Sequence, residues 1–422
     1  MYYGIYIIYK MEKDYYSLKD FELTLTRNAF DRADYFQKYI NQLNEFGCKS
    51  YWVQSFSSIG ATMNIEGYNN PVIGFISNDY LGMSQREETK AAGIDAIKQY
   101  GTGACAAQVI GGYLDIHHKL EKEIAAFVGQ EDAILFSSGF GANAGILRAL
   151  LGKNDIALVD PFIHTSTIAG LNGTNMKRIG HNDLEYLEKA LIETKDKYLT
   201  RLVIIDGVYS QDGDLSKLPE IIGLCKKYDA MLMVDDAHGI GVMGATGRGT
   251  AEHFNCLGEI DIITGTFSKS FGCVGGFAAA SSKIIQYLRF YADSNVFSAA
   301  PTPQVTASIL MALELLKTKP EIRKKLWDNT NYVKNELVKC GFDIGVSESP
   351  IIPVMVRDNK KVYEIAKMLQ ERAIFTIAIV YPAVRTKESR LRVSILATHE
   401  KEHLDHLVNS LVEIDSLIKF KK

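Results

Sequence analysis

From residue 131 to residue 264 the chain alternates between two kinds of apolar pattern. Short unbroken runs at Ala133–Phe136, Ile156–Val159, Leu202–Asp206, Met231–Val234 and Asp261–Thr264 predict strands buried on both faces. Between them, apolar residues at helical intervals predict a helix opening near Gly141 and helices at Asp183–Thr194 and Leu218–Tyr228. Strands that alternate with helices in this way build an α/β unit, a mainly parallel central sheet with helices on both faces. In such sheets ligands bind at the carboxyl ends of the strands.

The flanking segments read differently. Residues 14 to 47 carry Phe30, Tyr35, Phe36, Ile40 and Leu43 at helical spacing and predict an amphipathic arm that packs on something else. A turn at Tyr68–Pro71 leads to a strand at Val72–Ile76, a helix over 86–100, a glycine-rich loop over 101–112 and a helix over 117–127. Past Pro301-Thr-Pro303 a helix over 304–317 opens a second region. Helices are predicted there near 320–339, 358–371 and 400–418, and strands near 351–356, 374–379 and 391–395. The organisation expected is an N-terminal arm (1–70), a large α/β domain (71–303) and a smaller C-terminal α+β domain (304–422).

Composition narrows the class. With 47% hydrophobic and 23% charged residues among 422, the chain is an ordinary globular protein, and a net charge of −3 gives no reason to expect a nucleic-acid partner. Six cysteines without paired spacing read as reduced, mostly buried residues of a cytoplasmic protein rather than a disulfide or zinc framework. The apolar residues 2–9 are too short to span a bilayer and follow no cationic segment, so they predict neither anchor nor signal peptide, and Met11 serves equally well as a start.

Chemistry-bearing residues gather at the predicted strand ends. After Asp261–Thr264 comes Gly265-Thr-Phe-Ser-Lys269, and the carboxylate nearest to Lys269 in sequence is Asp261. An ammonium packed among hydroxyls and glycines is a candidate for a lowered pKa and a nucleophilic role. A phosphate-binding P-loop requires glycine directly before the lysine, and Ser268 stands there instead. Strand Met231–Val234 runs into Asp235-Asp-Ala-His238, and alternation sends Asp235 and Asp236 to opposite faces. An ion pair, a core histidine, or a metal site of Asp235, Asp236 and His238 lacking a fourth ligand are the other readings of that stretch. Ser137-Ser-Gly-Phe-Gly-Ala-Asn143 opens a helix whose free N–H groups suit an anion. His164 and Ser210 stand after two further strands.

Taken in order, Ser77-Asn-Asp-Tyr-Leu-Gly82, Ser138-Gly-Phe-Gly-Ala-Asn143, His164-Thr-Ser166, Asp206-Gly-Val-Tyr-Ser210, Val234-Asp-Asp-Ala-His238, Gly265-Thr-Phe-Ser-Lys269 and Arg390-Leu-Arg392 resemble the α-oxoamine synthase family. These are fold type I enzymes of pyridoxal 5′-phosphate. The resemblance runs from about Phe75 to His399 and looks nearest to the bacterial serine palmitoyltransferases. It implies that Lys269 forms the Schiff base, Asp235 pairs with the pyridinium nitrogen, His238 and Ser210 contact the phenolic oxygen, and His164 stacks on the ring. Ser138, Gly139, Phe140, Thr266 and Ser268 would surround the phosphate, with Ser298 reaching it from a second subunit. Asn78, Tyr80 and Arg392 would bind substrate, Arg392 through its carboxylate.

The activity so implied is a decarboxylative condensation of an amino acid, L-serine first, with a long-chain acyl-CoA or acyl-carrier protein. A homodimer with the site at the subunit interface is expected, and peripheral membrane contact is compatible with an acyl substrate. Ala106-Ala-Gln108 departs from the basic motif that several relatives carry in the glycine-rich loop, which keeps cysteate, alanine and glycine as alternative amino acids. An aminotransferase or aldolase of the same fold, or a cofactor-free partner subunit, would be the other classes.

Overall fold

The computed structural model describes residues 15–22, 27–48 and 51–421; the apolar run 2–9 and Met11 lie outside them. The N-terminal arm is not one helix. A short 3-10 turn at Leu18–Phe21 precedes α1 (Ala29–Phe46), because Asn28 caps a new helix start by accepting from the Asp31 N–H. Gly47, at φ 62°, then ends α1 in the left-handed conformation that glycine adopts without strain.

Two short strands, β1 (Thr62–Met63) and β2 (Val72–Gly74), pair antiparallel, and α2 (Glu87–Tyr100) and α3 (Asp115–Val128) follow. The alternation that the apolar pattern predicts then runs through β3 (Asp132–Phe136), α4 (Gly139–Leu150), β4 (Ile156–Val159), α5 (Thr165–Gly170), β5 (Asn175–Arg178) and α6 (Leu184–Thr194). It continues through β6 (Arg201–Asp206), α7 (Leu218–Lys227), β7 (Met231–Asp235), α8 (Thr250–His253), β8 (Ile262–Thr266) and β9 (Gly276–Ala280). These strands form one sheet in the order β3-β9-β8-β7-β6-β4-β5.

The sheet is parallel except at β9, which runs antiparallel to β3 and β8. Both faces are covered, as the unbroken apolar runs require. Ile134, Phe136, Ile204 and Met233 pack on one side with Ile146 of α4 and Ile285. Leu135, Val203, Ile205 and Val234 pack on the other with Ile124 of α3 and Leu218 of α7. Two strands escape the apolar pattern. β5, Asn-Met-Lys-Arg, is a largely exposed edge strand, and β9, Gly-Phe-Ala-Ala-Ala, is fully buried but built of small residues of weak strand preference.

Beyond the sheet, α9 (Ser282–Tyr291) and α10 (Asp293–Val296) lead to α11 (Pro303–Thr318), which lies along α2, and to α12 (Pro320–Lys339). The C-terminal region adds β10 (Ile351–Met355), α13 (Asn359–Gln370), β11 (Ile374–Phe375), β12 (Ile377–Ile379), β13 (Arg390–Ser394) and α14 (Lys401–Ile418). Its antiparallel sheet has the order β10-β13-β12. The run expected as one strand over 374–379 divides at Thr376: β12 joins β13, while β11 pairs parallel with β2. Strand β2, placed by its sequence position with the large unit, therefore hydrogen-bonds to the C-terminal region instead. Among the described residues no helix is long and apolar enough to cross a membrane.

Candidate active site

The carboxyl ends of β3, β4, β6, β7 and β8 open on one cavity of about 290 Å³. Every residue expected to hold the cofactor lines it except Ser298, whose hydroxyl lies 3.5 Å from that of Ser137. Asn78, Tyr80 and Arg392 stand just behind the wall. The Tyr80 hydroxyl lies 2.8 Å from His238 Nδ1, and Arg392 donates from Nε to the Ser210 carbonyl at 2.7 Å and from its terminal nitrogens to Asn78 and Ser394.

Lys269 leaves β8 through a loop made rigid by its own hydroxyls. Thr266 Oγ1 donates to the Gly275 carbonyl at 3.0 Å, accepts from the Ser268 N–H, and lies 2.8 Å from the Ser268 hydroxyl. Burial pulls the Lys269 ammonium down to about 8, against the opposing charges of Asp235 and Asp206. A substantial fraction of the amine is therefore neutral near physiological pH, the form that attacks an aldehyde.

Asp235 ends β7, the strand paired with β8, and lines the same cavity. Asn143 donates to it at 2.6 Å and the Ala237 N–H at 3.1 Å. The same Asn143 amide donates to the Ser166 hydroxyl at 2.9 Å, and that hydroxyl lies 2.7 Å from His164 Nδ1. Because the Ser166 N–H also points at Nδ1, this nitrogen accepts and the proton of the neutral ring sits on Nε2. Burial keeps His164 below its ordinary pKa, and burial followed by the Lys269 charge lowers His238 much further, so both rings are neutral. Asp236 turns away and accepts from the Thr250 N–H at 2.8 Å, so the pair cannot serve one metal together. Burial raises it to about 7.

At the third wall, Ser138 caps α4 by accepting from the Gly141 N–H at 2.9 Å. Ser138, Gly139 and Phe140 of this helix start line the cavity, where the helix dipole favours an anion. Glycine is required here for close approach. A Cβ on Gly139 would lie 2.8 Å from Thr266 Cβ, and one on Gly276 would lie 2.5 Å from the Gly139 nitrogen. The residues fit pyridoxal 5′-phosphate: a buried amine, an acid in the same cavity, and a helix start for the phosphate. Unpartnered buried oxygens on Asn143 and Asp206, both lining the cavity, leave acceptors free for a ligand.

Sequence reasoning missed Asn143, Ser166 and Asp206 as site residues. Asp206 is beside Asp235 in register, and burial followed by that neighbour raises its pKa far above the carboxylate range. Gln108 of the divergent loop does not reach the cavity. It donates to the Leu135 carbonyl at 3.3 Å, which it shares with Asn295, and so seats the loop on β3. Among the described residues no disulfide joins the cysteines; Cys48, Cys225 and Cys256 are buried, while Cys105 is exposed.

The family described as aminotransferase class I and II matches residues 70–411. A serine palmitoyltransferase of Sphingobacterium spiritivorum is 41% identical over 387 residues, covering 90% of this chain and 96% of that one. An 8-amino-7-oxononanoate synthase of Petrotoga mobilis is 43% identical over 361 residues, covering 85% and 91%. Among solved structures, the serine palmitoyltransferase of Sphingomonas wittichii superposes with a TM-score of 0.89 at 28% identity, covering 94% of this chain and 100% of that one. A structure described as SPT with PLP internal aldimine gives the same score over 93% and 99%. The site built on Lys269 and Asp235 and the extent of these matches agree: the chain belongs to the aminotransferase class I and II family and, within it, to the α-oxoamine synthases.

Proposed function

We propose that the chain catalyses the decarboxylative condensation of an amino acid, L-serine in the first place, with a long-chain acyl thioester. The product is a 3-keto amine, the first step of sphingoid-type base synthesis. The observation that carries this reading is the burial of Lys269 in one cavity with Asp235, in a chain 41% identical to a serine palmitoyltransferase.

Pyridoxal 5′-phosphate supplies an aldehyde for amines and a protonated ring that accepts the electron pair left when the α-proton departs. Lys269 would hold the aldehyde through Nζ, and the same amine is the general base at hand for the proton on the substrate Cα. Asp235, held by Asn143 and Ala237, would keep the ring nitrogen protonated. His164, fixed by Ser166, presents its flat ring to the cavity. The start of α4 and the hydroxyls of Thr266 and Ser268 hold the phosphate. Arg392 still has N–H groups beyond those given to Ser210, Asn78 and Ser394, and these hold the substrate carboxylate. The overall reaction would join the amino acid's Cα to the thioester carbonyl and release one thiol and one carbon dioxide.

The active unit in this reading is a homodimer. Phe140 is 50% exposed on the cavity wall, Val274 58%, and Phe297, next to Ser298, 87%. Such apolar side chains around a site are the surface a second copy would cover. The exposed thiol of Cys105 suits the cytoplasm, where thiols stay reduced.

The test is direct. Purified protein given the cofactor, L-serine and palmitoyl-CoA is expected to release free thiol and carbon dioxide in equal amounts. Release with alanine but not serine would move the reading to the second one, which the 43% identity to an 8-amino-7-oxononanoate synthase favours. Release of neither with any amino acid would reject the reaction class.

A further inference from the structure

Outside the cavity, one side chain ties two of its walls together. His181 stands in the turn that follows β5, and in the sheet order β6-β4-β5 this turn lies beside the exits of two inner strands. Its Nδ1 lies 3.0 Å and 3.1 Å from the two oxygens of Asp160, at the exit of β4. Its Nε2 lies 2.9 Å from Asp214 Oδ2, in the loop that leaves β6. Both carboxylates are buried, Asp160 at 1% exposure and Asp214 at 5%. The ring packs between Phe162 and Tyr209, each with its centroid 4.5 Å away.

This geometry decides the charge. A neutral imidazole has one donor, and its other nitrogen would press a lone pair against a carboxylate; only the imidazolium donates to both. The titratable groups that face it are Asp160 from the β4 side and Asp214 and Tyr209 from the β6 side. Burial pulls the ring's pKa down, but the two carboxylates carry it to about 9.

Each acid also belongs to a loop that carries a cavity residue, Asp160 bonding there through its carboxylate and Asp214 through its main chain. Asp160 accepts from the Phe162 N–H at 2.8 Å and the Asn182 N–H at 3.3 Å, and so shapes the turn leading to His164. The Asp214 carbonyl accepts from the Tyr209 N–H at 3.0 Å and the Tyr209 carbonyl from the Gly213 N–H at 2.8 Å, which closes the turn presenting Ser210.

We propose that His181 is a positioning residue: shared as an imidazolium by Asp160 and Asp214, it holds the loop bearing His164 and the loop bearing Ser210 at a fixed separation across the cavity. The roles of those two residues rest on the function proposed above; the spacing does not. Because the clamp is made from the edge strand, it acts without touching either ligand.

Two measurements on the cofactor-free protein test the clamp. Ring NMR of His181 should show the charged form through pH 8, and Asp214→Asn should lower its titration by at least one pH unit. A wild-type midpoint near 6.5 would overturn the proposal. Hydrogen–deuterium exchange on His181→Phe, which fills the space without charge, should rise at least tenfold in peptides covering 160–166 and 208–214, with α14 unchanged. A folded His181→Phe with wild-type exchange in both loops would mean that the ring only packs. Should that variant not fold, Asp214→Asn serves, with faster exchange over 208–214 expected and no change refuting the clamp.

In the loaded enzyme, His181→Gln should lower kcat about tenfold while the KM for the acyl thioester changes less than twofold. Unchanged kcat in a folded His181→Gln would count against the proposal. If wild-type protein shows the clamp by NMR and exchange but takes up no pyridoxal phosphate, the proposed function falls and the positioning role stands.

Discussion

At the scale of single residues, the proposed chemistry depends on an amine whose proton is loosened by burial. The pKa of Lys269, lowered to about 8, has a consequence in rate. The neutral amine is the nucleophile, so capture of added pyridoxal phosphate by cofactor-free protein should accelerate as pH rises to about 8 and level off above it, in stopped-flow absorbance. An exposed lysine would keep accelerating toward pH 10 or so, and that outcome would refute the burial argument. Lys269→Ala should show no saturable capture at all. Asp235→Asn should fold normally and lose at least about 100-fold in kcat, the scale on which a placed proton acts; turnover near wild type would mean that the ring nitrogen has another partner. Lys269, Asp235, His238 and His164 were readable because each follows a strand in a short, chemically distinctive string. Asn143 stands inside such a string too, yet its partner Asp235 is 92 residues away and nothing local announces the bond.

At the scale of elements, the site is a set of strand ends whose spacing is set by small residues. β9 threads antiparallel between β3 and β8 with alanines facing the helices, and Gly276 brings it against the start of α4. Gly276→Ala would put a methyl 2.5 Å from the Gly139 nitrogen. Overpacking of this kind costs about 1–3 kcal/mol, so the denaturant midpoint should fall and cofactor affinity drop about tenfold. Wild-type affinity by spectrophotometric titration would show that the helix start need not be so tightly held. The apolar runs of β3, β4, β6, β7 and β8 were legible because strands buried on both faces have no polar positions. β9 and β5 were not, since a run of alanines favours helix in isolation and Asn-Met-Lys-Arg has no apolar face. Their strand character comes from neighbours: alanine fits where α4 lies close, and an edge strand needs only one partner.

At the scale of the whole molecule, the exposed Phe140, Val274 and Phe297 near the cavity lead to a mass prediction. Light scattering of the purified protein should give twice the mass of one chain, and a fully active monomer would contradict the dimeric reading. Within one chain, the pairing of β2 with β11 fastens the segment just ahead of Asn78 and Tyr80 to the C-terminal region that supplies Arg392. Asn78 and Arg392, from opposite ends of the chain, thus meet behind one wall of the cavity.

The amino-acid sequence by itself determined the α/β alternation, the strand ends that open on the cavity, and the lysine that lines it. These depend on local apolar pattern and on short strings that survive without their partners. Tertiary structure alone decided which carboxylate faces Lys269, that Asn143 and Ser166 join Asp235 to His164, and that His181 is shared between two buried acids. Hydrogen bonds between residues tens to hundreds of positions apart leave no periodic trace in a chain, because they are specified by how strands are ordered in a sheet.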